Sequence, residues 1–197
     1  MIAVEYISHM GNDNTVCDAA RVSFDKEASN FTQEQNNKLL VYFAKHNHTT
    51  PFTHPQITLR ETVPIFVARQ RYKHVVGFSY NEVSRRYVDD TPKFFNPKTW
   101  RNRPTGGIKQ GSGDTHEYSG IWQAAYSYQC SQALRLYEDM IKAGVAPEQA
   151  RMVLPQSMLT SYYVTGSLAA FARAYKLRKD PHAQVEIQDL SDHWNKI

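Results

Sequence analysis

Residues Gln56–Gln70 read QITLRETVPIFVARQ, and the change of period inside this stretch decides the fold class. From Gln56 to Val63 the residues alternate. Ile57, Leu59 and Val63 face one way; Gln56, Thr58, Arg60 and Thr62 face the other, as in a half-buried strand. Glu61 breaks the inward set. Pro64 suits the first position of a helix, where its missing N–H would be unpaired anyway; this helix is expected to run to about Tyr72.

Upstream, IAVEYI reads as a short strand. Thr32–Asn47 reads as a helix with a capping box from Thr32 to Gln35 and an apolar stripe of Leu39, Leu40, Phe43 and Ala44. Downstream, Asp90–His116 has no period and holds four glycines, so a mobile surface loop is expected. Its fragment GSGDTH lacks the third glycine and the preceding strand of a dinucleotide-binding turn. Tyr118–Ala143 is the strongest helix, stopped by Gly144. A short helix from Pro147 to Val153 ends at Pro155. Leu159–Thr165 is β-rich, Ser167 caps a helix to about Lys179, and Asp180-Pro181 opens a last helix bearing Ala183, Ile187, Leu190 and Trp194. The fold class is α+β: a helix-rich subunit with a small antiparallel sheet, a single domain over residues 1–197.

The 197 residues are enough for one well-buried core, and 41% hydrophobic with 21% charged residues is ordinary for a globular chain. No apolar window of about 18 residues exists, so no membrane span is expected. No secretory leader is visible, and two distant cysteines, Cys17 and Cys130, suit a reduced compartment and core packing. A cytoplasmic location is expected, the host cytoplasm if the source is viral. The net charge of +4 suits an anionic ligand, a nucleotide or a polynucleotide.

Three basic clusters could hold such an anion. They are Arg69, Arg71, Lys73 and His74; Arg85 and Arg86; and Arg151, Arg178 and His182. Arginine forks and a serine hydroxyl match the three acceptor oxygens of a phosphate, and Asp180-Pro181-His182 as a helix start would add free N–H groups. The competing role for each arginine is a surface bridge to Glu82, Asp89, Asp90 or Asp180. That role is favoured for Arg71 and Lys73, since only one face of their helix can reach a site. His46, His48 and His54 have no cysteine or HExxH nearby, so no metal is expected. Ser84 has no GxSxG around it and suits a phosphate ligand better than a nucleophile.

Six blocks in order, AARVSF at Ala19–Phe24, FAKHNHTTPFTH at Phe43–His54, PIFVARQ at Pro64–Gln70, SYNEVSRRYV at Ser79–Val88, ARMVLP at Ala150–Pro155 and LRKDPHAQVEIQ at Leu177–Gln188, together resemble the flavin-dependent thymidylate synthases. The resemblance departs at the family's RHR signature. Lys73, His74 and Val75 stand there, with one extra residue before SYNE, so one arginine is replaced by lysine and the other is lost. Aligning Arg69-Gln70-Arg71 instead would misplace both flanking blocks. The resemblance implies a dUMP site of Gln70, Lys73, Glu82, Ser84, Arg86, Arg151 and Arg178, with Arg178 catalytic and Arg151 often supplied by a neighbouring subunit. For FAD it implies His48, Thr50, His74, Val75, Ser167, Arg173, Leu177 and His182. It further implies reductive methylation of dUMP to dTMP, with methylenetetrahydrofolate as carbon donor and NADPH-reduced FAD as hydride source. Partners would be dUMP, folate and other copies in a homotetramer with shared active sites; no nucleic acid is expected.

Overall fold

A computed structural model describes residues 1–88, 90–106 and 110–197. Strands β1 (Ala3–Met10), β2 (Gln56–Pro64), β3 (Phe78–Glu82) and β4 (Leu159–Ser167) form one antiparallel sheet in the order β1-β2-β4-β3. The helices are α1 (Asp13–Arg21), α2 (Gln33–Lys45), α3 (Ile65–Arg71), α4 (Ser119–Lys142), α5 (Pro147–Ala150), α6 (Leu168–Arg178) and α7 (Val185–Trp194). The α+β expectation, with a small antiparallel sheet, is met.

The alternation in Gln56–Val63 has the expected meaning. Leu59, Glu61 and Val63 are buried, while Arg60 faces out. On β4 the paired residues Thr160, Tyr162 and Val164 face the same inner side. Against this face pack Val67 of α3, Phe171 of α6 and Ile187, Leu190 and Trp194 of α7 in one apolar cluster. Each such side chain, fully buried, stabilises the fold by roughly 1.5–3 kcal/mol. Glu61 therefore obeys the inward phase. It is buried because Arg71, Tyr162 and Trp194 satisfy it, with donors at 3.1, 2.6 and 2.8 Å.

Several boundaries differ from the sequence expectation. Pro64 is the last residue of β2, extended at φ −67° and ψ 150°, and α3 starts after it. The last helix starts at Val185; residues 180–184 form a turn in which the N–H of His182 is bonded to Asp180 Oδ1 at 2.8 Å. A helix start offering free N–H groups at Asp180–His182 is thus ruled out by geometry. Strand β3 and helix α1, which begins on an Asn12–Thr15 capping box, were not anticipated. The capping roles of Thr32 and Ser167 are as expected, and both cysteines are buried. The 90–116 segment, of which residues 107–109 lie outside the described set, is tied down at several points. Phe94 bridges Met158, Arg101 bridges Thr115, and the Trp100 indole donates to Gln123 Oε1 at 3.1 Å.

Candidate active site

Strand β3 ends by delivering Glu82–Arg86 to a cleft of about 1080 Å³. Glu82 Oε1 accepts from Thr160 Oγ1 at 2.6 Å. One residue further, the Val83 N–H bonds to Ser161 O at 2.9 Å, and the chain then turns, with Tyr87 N–H to Ser84 O at 3.0 Å. In this turn Ser84 Oγ accepts from the N–H and the Nε of Arg86, both at 3.3 Å. Arg151, on the 3-10 turn after α5, lines the same cleft. Arg60, Thr62 and Ser161, from the outer side of β2 and β4, also line it. Arg85 is tied to Asp90 at 3.1 Å, the surface bridge foreseen for some of these arginines. Asp89 lies outside the described residues. Arg86 and Arg151 make no ion pair among the described residues, so their guanidinium groups can meet an anion.

Gln70, His74 and Arg178 do not line this cleft; they belong to elements on the inner side of the sheet. Arg71, expected as a surface residue, is fully buried. Its Nε bridges Glu61 at 3.1 Å, and its guanidinium carbon lies 4.3 Å from the Phe78 ring centroid and 4.7 Å from that of Trp194. Coulomb attraction to Glu61 opposes the burial cost, and the pKa of Arg71 is raised despite that burial. Arg71 Nη1 also donates to Tyr80 Oη at 2.6 Å, and the phenol donates in turn to the carbonyls of His74 at 2.8 Å and Arg71 at 3.1 Å. Desolvation and proximity to this guanidinium push Tyr80 in opposite directions; burial wins and takes it up to about 12. The turn carrying His74 is thereby fixed from below.

His74 Nε2 accepts from Arg178 Nε at 2.8 Å. That bond requires a neutral ring. Burial, then the charges of Arg178, Arg71 and Arg173, lower the His74 pKa to about 4. Burial and Arg71 lower Arg178 as well, yet a guanidinium stays charged near neutrality. Nε is used here, and neither Nη group of Arg178 has a hydrogen-bond partner among the described residues, so both can meet a ligand. Gln70 Nε2 donates to Gln184 Oε1, and Lys73 is exposed beside them without an ion pair among the described residues.

The residues expected at FAD split in two. Val75 is 66% exposed and Leu177 57%. Between them Arg173 Nη2 donates to Val76 O at 2.6 Å. Exposed apolar side chains beside a cation and the His74–Arg178 pair suit a flat, polar-edged ring with attached phosphates, so this face fits a flavin. Thr50 is exposed in the 3-10 turn Thr50–Thr53, which packs on α6, and His48 stacks on Phe43 at 5.1 Å. His182 is exposed and held by Asp180. Ser167 is different: it is buried and its hydroxyl accepts the Ala170 N–H at 3.2 Å, so it serves the start of α6. His46 lies against Tyr42 with ring centroids 4.4 Å apart.

The sequence reading missed the support formed by Glu61, Arg71 and Tyr80. A carboxylate in the buried phase of a strand, ten residues before an arginine on the following helix, was the available signal.

The family model described as thymidylate synthase complementing protein matches residues 5–197. The flavin-dependent thymidylate synthase of Thermotoga neapolitana is 36% identical over 188 residues, 95% of this chain and 81% of that protein. The chain belongs to the flavin-dependent thymidylate synthase family. The namesake enzyme of Thermosipho africanus is 34% identical over 186 residues, 94% of this chain and 80% of its own. A UMP/dUMP methylase, PolB, from Streptomyces cacaoi, solved bound with 5-Br dUMP, superposes with a TM-score of 0.89 at 26% identity, covering 100% of this chain and 89% of that one. Family membership bears out the expectation of a flavin-dependent enzyme. Among the described residues no helix is long and apolar enough to cross a membrane.

Proposed function

We propose that the protein methylates dUMP to dTMP, with methylenetetrahydrofolate as carbon donor and NADPH as the reductant of FAD. It would act as a single domain, since one apolar cluster gathers residues from Ile2 to Trp194. The observation that carries the reading is the pairing of a neutral His74 with Arg178, on a face whose apolar side chains are bare. Ser84, Arg86 and Arg151 bind the phosphate, each charge-assisted bond contributing roughly 1.5–3 kcal/mol. Gln70, Lys73 and Glu82 complete the nucleotide site. Arg178, oriented through Nε, offers its Nη groups to charge developing on a uracil carbonyl; with donors fixed in advance, no reorganisation opposes the reaction. His74, Val75, Arg173 and Leu177 seat the flavin with help from His48, Thr50 and His182. FAD, when bound, supplies the hydride.

The phosphate cleft is lined by Arg60, Thr62 and Ser161 from the outer side of the sheet and by Glu82 and Thr160 from its inner side, whereas Arg178, on α6, lies outside it. One chain therefore carries two half-sites. We assign the joining of half-sites to neighbouring copies in a homotetramer. The experiment is direct. Purified protein should be yellow, should bleach with NADPH, and should form dTMP from dUMP and methylenetetrahydrofolate. Colourless protein, or flavoprotein that forms no dTMP, would overturn the reading. UMP belongs in the same assay, because the PolB relative is also solved bound with 5-Br UMP.

A further inference from the structure

We propose that Glu186, held by Arg101, is a positioning residue that sets which end of the Gln70 side-chain amide faces the nucleotide. The inference rests on Gln70 being a dUMP ligand. Glu186 lies in the first turn of α7 with its side chain 9% exposed. Its Oε1 accepts from Arg101 Nη2 at 2.6 Å and its Oε2 from Gln184 Nε2 at 2.9 Å. Gln184 Oε1 accepts from Gln70 Nε2. Arg101 also gives its Nε to Ser112 Oγ at 2.6 Å, and the neighbouring Trp100 is fastened to α4 through Ser119 Oγ at 2.9 Å and Gln123. Four side chains thus connect the long 90–116 segment to the proposed nucleotide site.

The direction of this chain follows from its first member. An amide can flip, because its oxygen and nitrogen ends differ little in shape. A carboxylate can only accept. Gln184 must therefore present its nitrogen to Glu186, and so its oxygen to Gln70. Gln70 must answer with its nitrogen, which turns its own Oε1 and one remaining N–H away from the chain. Glu186 acts at a distance by removing the alternative orientation, and Arg101 keeps the carboxylate in place.

The test is a double-mutant cycle on the flavin-loaded enzyme, reading KM for dUMP, kcat and flavin absorbance per chain. Gln70→Ala should raise KM about tenfold, as loss of one hydrogen bond to a charged or buried ligand group does. Glu186→Gln can donate as well as accept. It should raise KM several-fold, with kcat within about twofold of the parent and flavin content unchanged; in the Gln70→Ala background it should add nothing further. Arg101→Ala should show the same pattern and stands in should Glu186→Gln fail to fold. The inference is overturned if Glu186→Gln raises KM equally with and without the Gln70 side chain. It is also overturned if both Glu186→Gln and Arg101→Ala leave KM unchanged while Gln70→Ala raises it. If Gln70→Ala itself leaves KM unchanged, Gln70 is no dUMP ligand, and that assignment falls together with the inference.

Discussion

At the scale of single residues, two buried groups support the candidate site from beneath. Arg71 and Glu61 are each 0% exposed at the side chain, and Arg71 also supports the Tyr80 phenol that holds the His74 carbonyl. Removing one partner strands the other charge, so Arg71→Ala should cost about 3–5 kcal/mol in urea unfolding. A loss below 1 kcal/mol would mean that water reaches Glu61. His74 gives a second test, through pH. Its folded pKa, about 4, lies below its ordinary 6.5, so the unfolded chain binds the extra proton first. The neutral His74–Arg178 pair contributes fully above pH 6.5, and its contribution is lost as pH falls toward 4. The unfolding midpoint should drop across this window, and His74→Gln should flatten that part of the slope; an unaltered slope would assign the acid sensitivity elsewhere. Six motif blocks marked in the sequence the residues proposed to face the ligands. The residues beneath them were not, because a buried ion pair and a solvated one use the same letters, and only the phase of Glu61 hinted at the difference.

At the scale of elements, strand β3 connects the core to the cleft. Phe78 pairs with Gly166 of β4, and its ring occupies the space where a side chain at 166 would be: a Cβ built there would lie 2.3 Å from Phe78 Cδ1. Gly166→Ala should displace Phe78, which also packs on Arg71 and Phe171. It should destabilise the fold by roughly 1–3 kcal/mol through overpacking and weaken dUMP binding by shifting Glu82 to Arg86. Wild-type stability in this variant would show that the ring can move freely. The sequence concealed β3. Its five residues, FSYNE, alternate only at Phe78 and Tyr80, and the polar remainder reads as a turn. The last helix was placed early because Pro181 imitates a first-turn residue, whereas the Asp180 side chain closes a turn there. The periodic helices α2 and α4 were placed within one or two residues, since Thr32 caps the start of α2 and the left-handed Gly144 marks the end of α4.

At the scale of the whole molecule, the residues proposed for one reaction lie in two places on the chain's surface. Ser84, Arg86 and Arg151 share one cleft, while Arg178 and His74 pair outside it, among the helices on the inner face of the sheet. No spacing in the sequence reveals such a division, because a motif reports which residues serve a site and not which copy supplies them. If neighbouring copies complete each other's sites, defects in different half-sites must complement. Arg86→Ala and Arg178→Ala should each abolish dTMP formation when expressed alone. Co-expressed in equal amounts, they form mixed pairs in which one of the two sites receives Arg86 and Arg178 from the unmutated halves. Random pairing then restores roughly a quarter of the parental activity, with both damaged arginines gathered in the other site. The recovery should require co-assembly: mixing the two purified variants after each has formed its own oligomer should restore activity only as fast as subunits exchange. Absence of recovery in co-expressed, co-purified hetero-oligomers would place both arginines in a site made by one chain, and the cleft and the His74–Arg178 pair would then have to come together on binding.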